Sequence, residues 1–482
     1  MSGIARPTGT DTAADAGKAP DGWALAALSL AMLMSSLGTS SANVALPTLA
    51  EAFAASFQQV QWVVLAYLLA ITTLIVSVGR LGDMMGHRRI MLAGIVVFTG
   101  ASLLCGLAPT LPLLIAARAL QGGGAAILMA LTIVLVRSTV ARERTGSAMG
   151  LLGTMSAVGT ALGPSLGGLL LAGGGWQAIF LVNVPLGIAA FWLAAKTLPA
   201  ERRQEGTDGR GFDHFGTLLL ALGLGAYALA TTAGGGRFGL LNLALLVAAM
   251  LAAGLFVLAQ KKVASPLIRL AALREASLSA SLAMNALVST VMMATLVVGP
   301  FYLSRGLGLS AAMTGIVLSI GPAVSALSGV PAGRMVDRLH AQPVATIGLV
   351  AMVAGCVGLS VLPPLFGLAG YIAAIAVLTP GYQMFQAANN TAVMMTVQAH
   401  ERGVISGMLI LSRNVGLITG ASVMGAVFAL ATASDMRSAG PAAMTSGMRA
   451  TFAVAALLVV VALVIGLTSR SEAGRPTPAD AA

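Results

Sequence analysis

The chain has 482 residues, of which 57% are hydrophobic and only 9% charged, with a formal net charge of +11. A soluble domain carries about 25% charged residues, so this composition excludes an ordinary water-soluble globule and indicates a polytopic membrane protein. The positive balance, which in a soluble chain would suggest nucleic acid, is read here as Lys and Arg collected in loops on one side of a bilayer, and no nucleic-acid partner is expected.

Residues 1–23 hold Asp11, Asp15 and Asp21 and no cationic stretch before an apolar run, so they read as a disordered tail rather than a signal peptide. Fourteen apolar stretches follow, each near the roughly 20 residues that cross a bilayer. Six of them, at 24–47, 58–79, 90–108, 112–136, 146–172 and 176–197, make a first half over 24–198. The polar stretch 199–213, with Glu201, Arg202, Arg203, Glu205, Asp208 and Arg210, reads as a solvated connector. Two further spans, 214–233 and 238–260, fill 214–260, and a loop occupies 261–277. Six more, at 278–303, 311–332, 343–363, 367–397, 403–430 and 450–468, make a second half over 278–468, with a tail at 469–482. The predicted fold is therefore an all-α membrane protein of 6+2+6 helices with two pseudo-symmetric six-helix halves.

An even number of spans puts both termini on one side. On that side lie twenty-one of the 27 Lys and Arg, against Arg237, Arg305, Arg437 and Arg449 on the other. This bias predicts cytoplasmic termini. Cys105 and Cys356 both fall in spans and read as packing residues, with no metal and no cofactor expected.

Two internal matches point to a duplication. Gly79-Arg80-Leu81-Gly82-Asp83 follows the second span, and Gly333-Arg334-Met335-Val336-Asp337-Arg338 follows the tenth, 254 residues on. Ala141-Arg142-Glu143-Arg144 precedes the fifth span, and Ala399-His400-Glu401-Arg402 precedes the thirteenth, 258 residues on. Repeated halves around a midplane site are the usual build of secondary transporters.

All 16 acidic residues and all four histidines fall in loops, tails or span ends, whereas Arg118 and Arg413 sit deep in spans. Arg118 lies six residues past Pro112, roughly 9 Å along the helix. Arg413 lies 11 residues past Arg402, roughly 16 Å along its helix. An intramembrane charge normally faces a cavity, a partner or a pathway. Asn414 adjoins Arg413, and Gln386, Asn389 and Asn390 are spaced to share a helix face, beside Tyr382 and Gln383. Such side chains either tie helices together or meet substrate. No His, Asp or Glu lies deep enough to activate a nucleophile, and no GxxxxGK[ST] loop is present, so neither an intramembrane enzyme nor direct ATP hydrolysis is expected.

The run Gly79-Arg80-Leu81-Gly82-Asp83-Met84-Met85-Gly86-His87-Arg88-Arg89 resembles the signature loop of the major facilitator superfamily. The resemblance implies a cytoplasmic latch at Gly79, Arg80, Asp83, Gly86, Arg88 and Arg89, with a degenerate partner at Gly333, Arg334, Asp337 and Arg338. Span five carries Gly159-Thr160-Ala161-Leu162-Gly163-Pro164-Ser165-Leu166-Gly167-Gly168. Its glycines at every fourth position form a bare stripe, and Pro164 removes an amide donor. The full pattern is similar to the motif of the drug:proton antiporters within that superfamily, and fourteen spans match the branch with two extra central helices. Asn43-Val44-Ala45-Leu46-Pro47 and the run from Trp176 to Gly187 fit the same branch.

This resemblance implies proton-coupled export of small, largely apolar compounds across the cell membrane by a monomer, with Arg118 in proton coupling. Gln121 is its neighbour, and Asn43, Gln386, Asn389, Asn390, Arg413 and Asn414 are candidates for the substrate path. One departure stands out. The branch usually has Asp within Leu-Asp-x-Thr in span one, and here that position is Gly38, in Leu37-Gly38-Thr39-Ser40. The proton carrier is thus left open, and a specific neutral or anionic metabolite is the rival cargo. Trp176-Gln177 is a smaller departure, where the family commonly has Arg. A non-transporting sensor is the remaining alternative.

Overall fold

The computed structural model describes residues 21–140, 145–199, 213–233, 239–262, 275–396, 402–432 and 439–473. Residues 1–20 of the first tail, most of the 199–213 connector and 261–277 loop, most of the second internal match, and the end of the final tail lie outside these residues; residues 21–23, expected in the disordered tail, instead begin the first helix. Within the described residues every regular element is helical. The first half holds α1 (Asp21–Ala52), α2 (Phe57–Met85), α3 (His87–Gly106), α4 (Leu111–Thr139), α5 (Thr145–Leu181) and α6 (Asn183–Thr197). Then come α7 (His214–Thr232) and α8 (Leu240–Lys262). The second half holds α9 (Ala276–Phe301), α10 (Ala311–Leu339), α11 (Ala341–Thr396), α12 (Arg402–Thr419), α13 (Gly425–Thr432) and α14 (Pro441–Ala473). Wide π turns follow α9 at Tyr302–Gly306 and join α12 to α13 at Gly420–Met424.

Twelve helical runs are long and apolar enough to cross a membrane, among the described residues. Two of them, Leu151–Thr197 at 47 residues and Ala341–Met395 at 55 residues, far exceed one crossing. Each turns at a left-handed glycine, Gly175 (φ 72°) in the first and Gly367 (φ 53°) in the second. There the chain adopts a conformation that a side chain opposes.

The duplication reappears in backbone geometry. The turn after α1 has Ala54 at φ 47°, and the turn before α10 has Gly308 at φ 68°, 254 residues on. Ser56 caps α2 by accepting from the Gln59 amide, and Ser310 caps α10 by accepting from Met313, at the same interval. Gly86 (φ 95°) breaks α2 from α3, and His340 (φ 66°) breaks α10 from α11, again at that interval.

These breaks correct one expectation. The signature run is not an extended loop. Gly79 to Met85 continue α2, Gly333 to Arg338 continue α10, and each turn is a single residue. At ψ 163°, His340 sits in a region almost reserved for glycine. His340→Gly is expected to raise stability by about 1 kcal/mol; an unchanged unfolding midpoint in detergent would count against the strain.

Packing defines two ends. One apolar core runs continuously from the first half into the second, through residues such as Leu49, Phe57, Phe180, Val298, Phe301 and Phe428. These lie at the end where α1 gives way to α2. At the other end, which carries the basic turns, each half keeps its own core: Met32, Ile90 and Leu135 in the first, and Leu278, Ile405 and Leu409 in the second. Among the described residues, the two halves share one core at the first end and keep separate cores at the basic end. α7 lies along α2, with Ser77 and Thr217 hydroxyls 2.7 Å apart and Trp62 Nε1 donating to Thr232 Oγ1 at 3.1 Å. It reaches the second half where Tyr227 Oη donates to Thr419 Oγ1. α8 packs on α7, anchored by Asn242 Nδ2 donating to the Ala230 carbonyl at 2.7 Å, and leaves Leu241, Met250, Leu251 and Leu255 exposed, as lipid contact requires.

Candidate functional site

Arg118 is fully buried, at 0% exposure, in the first third of α4. Its Nε donates to the Val63 carbonyl at 2.8 Å, and Nη1 donates to the Gly38 carbonyl at 3.1 Å and to Gln121 Oε1 at 2.6 Å. Gln121 Nε2 donates in turn to Ser102 Oγ at 2.7 Å. The guanidinium carbon stands 4.1 Å from the Tyr67 ring centroid, and Tyr67 Oη donates to the Ser35 carbonyl. A single cation thus joins α1, α2 and α4, and through Gln121 it reaches α3. Its charge is met by carbonyl dipoles and an aromatic face, which stabilise a desolvated cation far better than hydrocarbon does.

Gly38 is part of this arrangement. Its carbonyl accepts from Arg118, and a Cβ there would stand 3.1 Å from Tyr67 Oη and 3.3 Å from Phe98 Cζ. The space beside Arg118 that a longer side chain at this position would enter is filled by Tyr67 and Phe98. Tyr67 and Ser102 were not singled out from sequence, because an aromatic and a serine in apolar helices carry no periodic signal.

The other path candidates are placed unevenly. Asn43 is buried, with Nδ2 donating to the Thr39 and Ser40 carbonyls and Oδ1 lacking a protein partner. Gln386 Nε2 donates to Tyr382 Oη at 2.9 Å, Asn389 is buried with Nδ2 unpartnered, and Asn390 is exposed. Asn414 is buried. Arg413 is exposed, so of the two arginines placed deep in spans only Arg118 is enclosed by protein. Position along the sequence gives depth in a helix, but only the neighbouring helices decide which face is covered.

The glycine stripe is a seam. A Cβ at Gly159 would stand 2.7 Å from the Leu33 carbonyl oxygen, one at Gly163 would meet Ser40 and stand 3.0 Å from the Ser41 amide, and Gly167 faces the Ser41 carbonyl at 3.1 Å. α5 therefore lies directly on α1. Pro164 and Gly168 turn the other way, to α10: a Cβ at Gly168 would stand 2.8 Å from the Ala311 carbonyl oxygen and 2.9 Å from Gly315 Cα.

The second half repeats the device at a spacing of 257 residues, which sequence reading missed although Gly416-x-x-x-Gly420 carried it. Gly416 of α12 and Gly420 of the π turn that follows it face the Ala286 and Thr290 carbonyls of α9. Gly425, the counterpart of Gly168, faces Gln61 of α2, whose Nε2 donates to the Ala421 carbonyl at 2.8 Å. Gln61 itself is the counterpart of Gly315. The α5–α10 seam is thus a glycine contact, and the seam between α2 and the π turn leading into α13 is a hydrogen-bonded clasp. Both lie at the closed end.

In the signature run, Arg88 Nη2 donates to the Ala195 carbonyl at 2.6 Å, where it neutralises the end of α6, within its own half. Arg89, Arg334, Asp337 and Arg338 are exposed, and the side chains of Arg80 and Asp83 lie outside the described residues.

The sequence model described as Major Facilitator Superfamily matches residues 28–421. The chain is 33% identical over 402 residues to the uncharacterized transporter YebQ of Escherichia coli (strain K12), covering 83% of this chain and 88% of that one. It is 30% identical over 400 residues to the riboflavin transporter RibZ of Clostridioides difficile (strain 630), covering 83% and 86%. It is also 30% identical over 409 residues to the multidrug resistance protein Stp of Mycobacterium tuberculosis (strain ATCC 25618 / H37Rv), covering 84% and 75%. Among solved structures, a bacterial homolog of the human lysosomal transporter Spinster superposes with a TM-score of 0.67 at 16% identity, covering 96% of this chain and 100% of that one. The helical fold, the repeated halves and these matches agree: this chain belongs to the Major Facilitator Superfamily of membrane transporters.

Proposed function

We propose that this protein exports small, largely apolar compounds by alternating access, coupled to proton entry. The observation that carries the reading is the double seam of α5: Gly159, Gly163 and Gly167 fix it to α1, while Pro164 and Gly168 meet α10 across the closed end. A helix that belongs firmly to one half and touches the other only through small residues suits a gate that opens and recloses. The span-five pattern favours export, and a multidrug resistance protein stands among the relatives.

The two over-long runs, each bent at a glycine, are read as two crossings apiece, which makes fourteen spans in a 6+2+6 layout. The halves are 24–198 and 278–468, the extra pair 214–260, and the connectors 199–213 and 261–277. The charge bias places the termini and the basic turns in the cytoplasm, so the described conformation is open inward. Gly79, Gly86 and the basic residues of both signature copies form the cytoplasmic latch of the opposite state. The protein works in the lipid bilayer as a monomer.

Arg118 acts in coupling through its hold on α1, α2 and α4. Gln386, Asn389, Asn390, Asn43, Arg413 and Asn414 supply uncharged or cationic groups to the substrate path, which favours neutral or anionic cargo over cations. The second reading, a transporter of one neutral or anionic metabolite, is favoured by Gly38 at the position of the branch's Asp and by a riboflavin transporter among the relatives.

The test is a pH-sensitive dye in inside-out vesicles energised to an acid interior, challenged with cationic, neutral and anionic compounds. Compound-dependent loss of the gradient, absent in empty and Arg118→Ala vesicles, is the expected result. A response to one metabolite alone would support the second reading, and uptake of labelled compound without proton movement would remove the coupling.

A further inference from the structure

We propose that Glu51 and Arg305 form an ionic latch between the two halves, close to their pseudo-two-fold axis, that holds the closed end shut. Arg305 Nη2 lies 3.1 Å from Glu51 Oε1, joining the end of α1 to the π turn after α9. The two residues are 254 apart in sequence, the interval that separates Gly79 from Gly333. The same interval pairs Ala54 with Gly308 and Ser56 with Ser310, so the two turns correspond. The π turn places one more residue ahead of Gly308, with Leu307 donating to Tyr302 where Phe53 donates to Leu49, so Glu51 and Arg305 stand within one residue of equivalent positions. Two such positions in contact lie close to the axis relating the two halves, much as in the self-complementary contact of a symmetric dimer. Two identical charges there would repel. The repeat carries opposite charges at this one point, which turns the axis contact into an attraction.

The position has a mechanical consequence. A pair close to the axis joins the two halves without belonging to either lateral seam, so it must part whenever this end opens on either side. Its surroundings set its strength. Glu51 is 69% exposed and Arg305 16% exposed, and a recess of about 530 Å³, lined by both together with Ala50, Ala54 and Ala439, opens beside them. Mobile ions reach the pair and screen it, so the closure it provides is modest and salt-dependent. The latch adds to the glycine contact and the Gln61 clasp, and its function does not depend on which cargo is carried or whether protons are coupled.

The test is a spin-label distance distribution between Leu107→Cys and Leu365→Cys, both exposed and one on each half at this end, in the full-length protein with Cys105 and Cys356 replaced. At about 10 mM salt, Glu51→Gln and Arg305→Gln are each expected to raise the ratio of the long- to the short-distance population about two- to five-fold. Arg305→Glu raises it further, by setting two carboxylates close to the axis. The exchange Glu51→Arg with Arg305→Glu returns the ratio to the native value, and about 1 M salt erases the difference between native and neutralised proteins. Neutralised variants with native ratios at low salt, or an exchanged protein that behaves like Arg305→Glu alone, would overturn the latch.

Discussion

Replacing Arg118 by alanine is expected to abolish coupled transport, a fall of about a hundred-fold or more, while leaving the protein inserted and folded. The residue makes three charge-assisted hydrogen bonds, to Val63, Gly38 and Gln121, in a site fully shielded from water. A hydrogen bond to a charged group is worth about 1.5–3 kcal/mol, and about 1.4 kcal/mol is a factor of ten in rate. Against this loss, the variant also removes a buried charge that carbonyls and an aromatic ring neutralise only in part, which limits the damage to the fold. Arg118→Lys separates the two contributions. An ammonium keeps the charge but lacks the planar fork that reaches α1, α2 and Gln121 together. Transport by the lysine variant close to native would show that charge alone matters, and transport close to the alanine variant would show that the cross-link matters. Initial rates in vesicles, normalised to inserted protein, decide between them.

Gly163→Leu is the second large effect expected. A Cβ at Gly163 would collide with Ser40 and press on the Ser41 amide at 3.0 Å, and the contact on the α1 side includes backbone, which cannot rotate away. Overpacking a closed interface costs about 1–3 kcal/mol and displaces helices. Transport is expected to fall to the level of empty vesicles, with a lower yield of folded protein. Gly153→Leu on the same helix is the control, since a Cβ there meets nothing within 4 Å. Gly168→Leu discriminates further. Its obstruction lies on α10 rather than within its own half, so the variant is expected to fold normally and to favour the state open at that end. Thr314→Cys, at a buried position beside Gly315, reports this directly: a water-soluble maleimide should label it faster in the Gly168→Leu background. Equal labelling would mean that the seam does not control opening.

Much of the architecture was legible in the residues. Apolar runs of bilayer length and glycine-marked turns led to helices almost everywhere they were expected, and the match of Gly79–Asp83 with Gly333–Asp337 disclosed the repeat. Helix formation in lipid is dictated locally, because each backbone amide and carbonyl must be satisfied within its own segment. The signature run read as a loop because its glycines and charges are turn-like, yet the helix continues to Met85 and breaks only at Gly86.

Composition, periodicity and spacing by themselves determined that this is a helical membrane protein with duplicated halves, and that Arg118 lies at depth in a span. Which faces those helices present was decided only by their packing. Arg118 and Arg413 look alike in sequence, but α1 and α2 enclose the first on α4, whereas the second, on α12, is exposed. The clasp of Gln61 on Ala421 and the meeting of Glu51 with Arg305 likewise depend on how the halves approach each other. A sequence records each half's internal periodicity, whereas contacts between the halves join residues far apart in the chain, 254 positions for Glu51 and Arg305 and 360 for Gln61 and Ala421, and no local pattern encodes them.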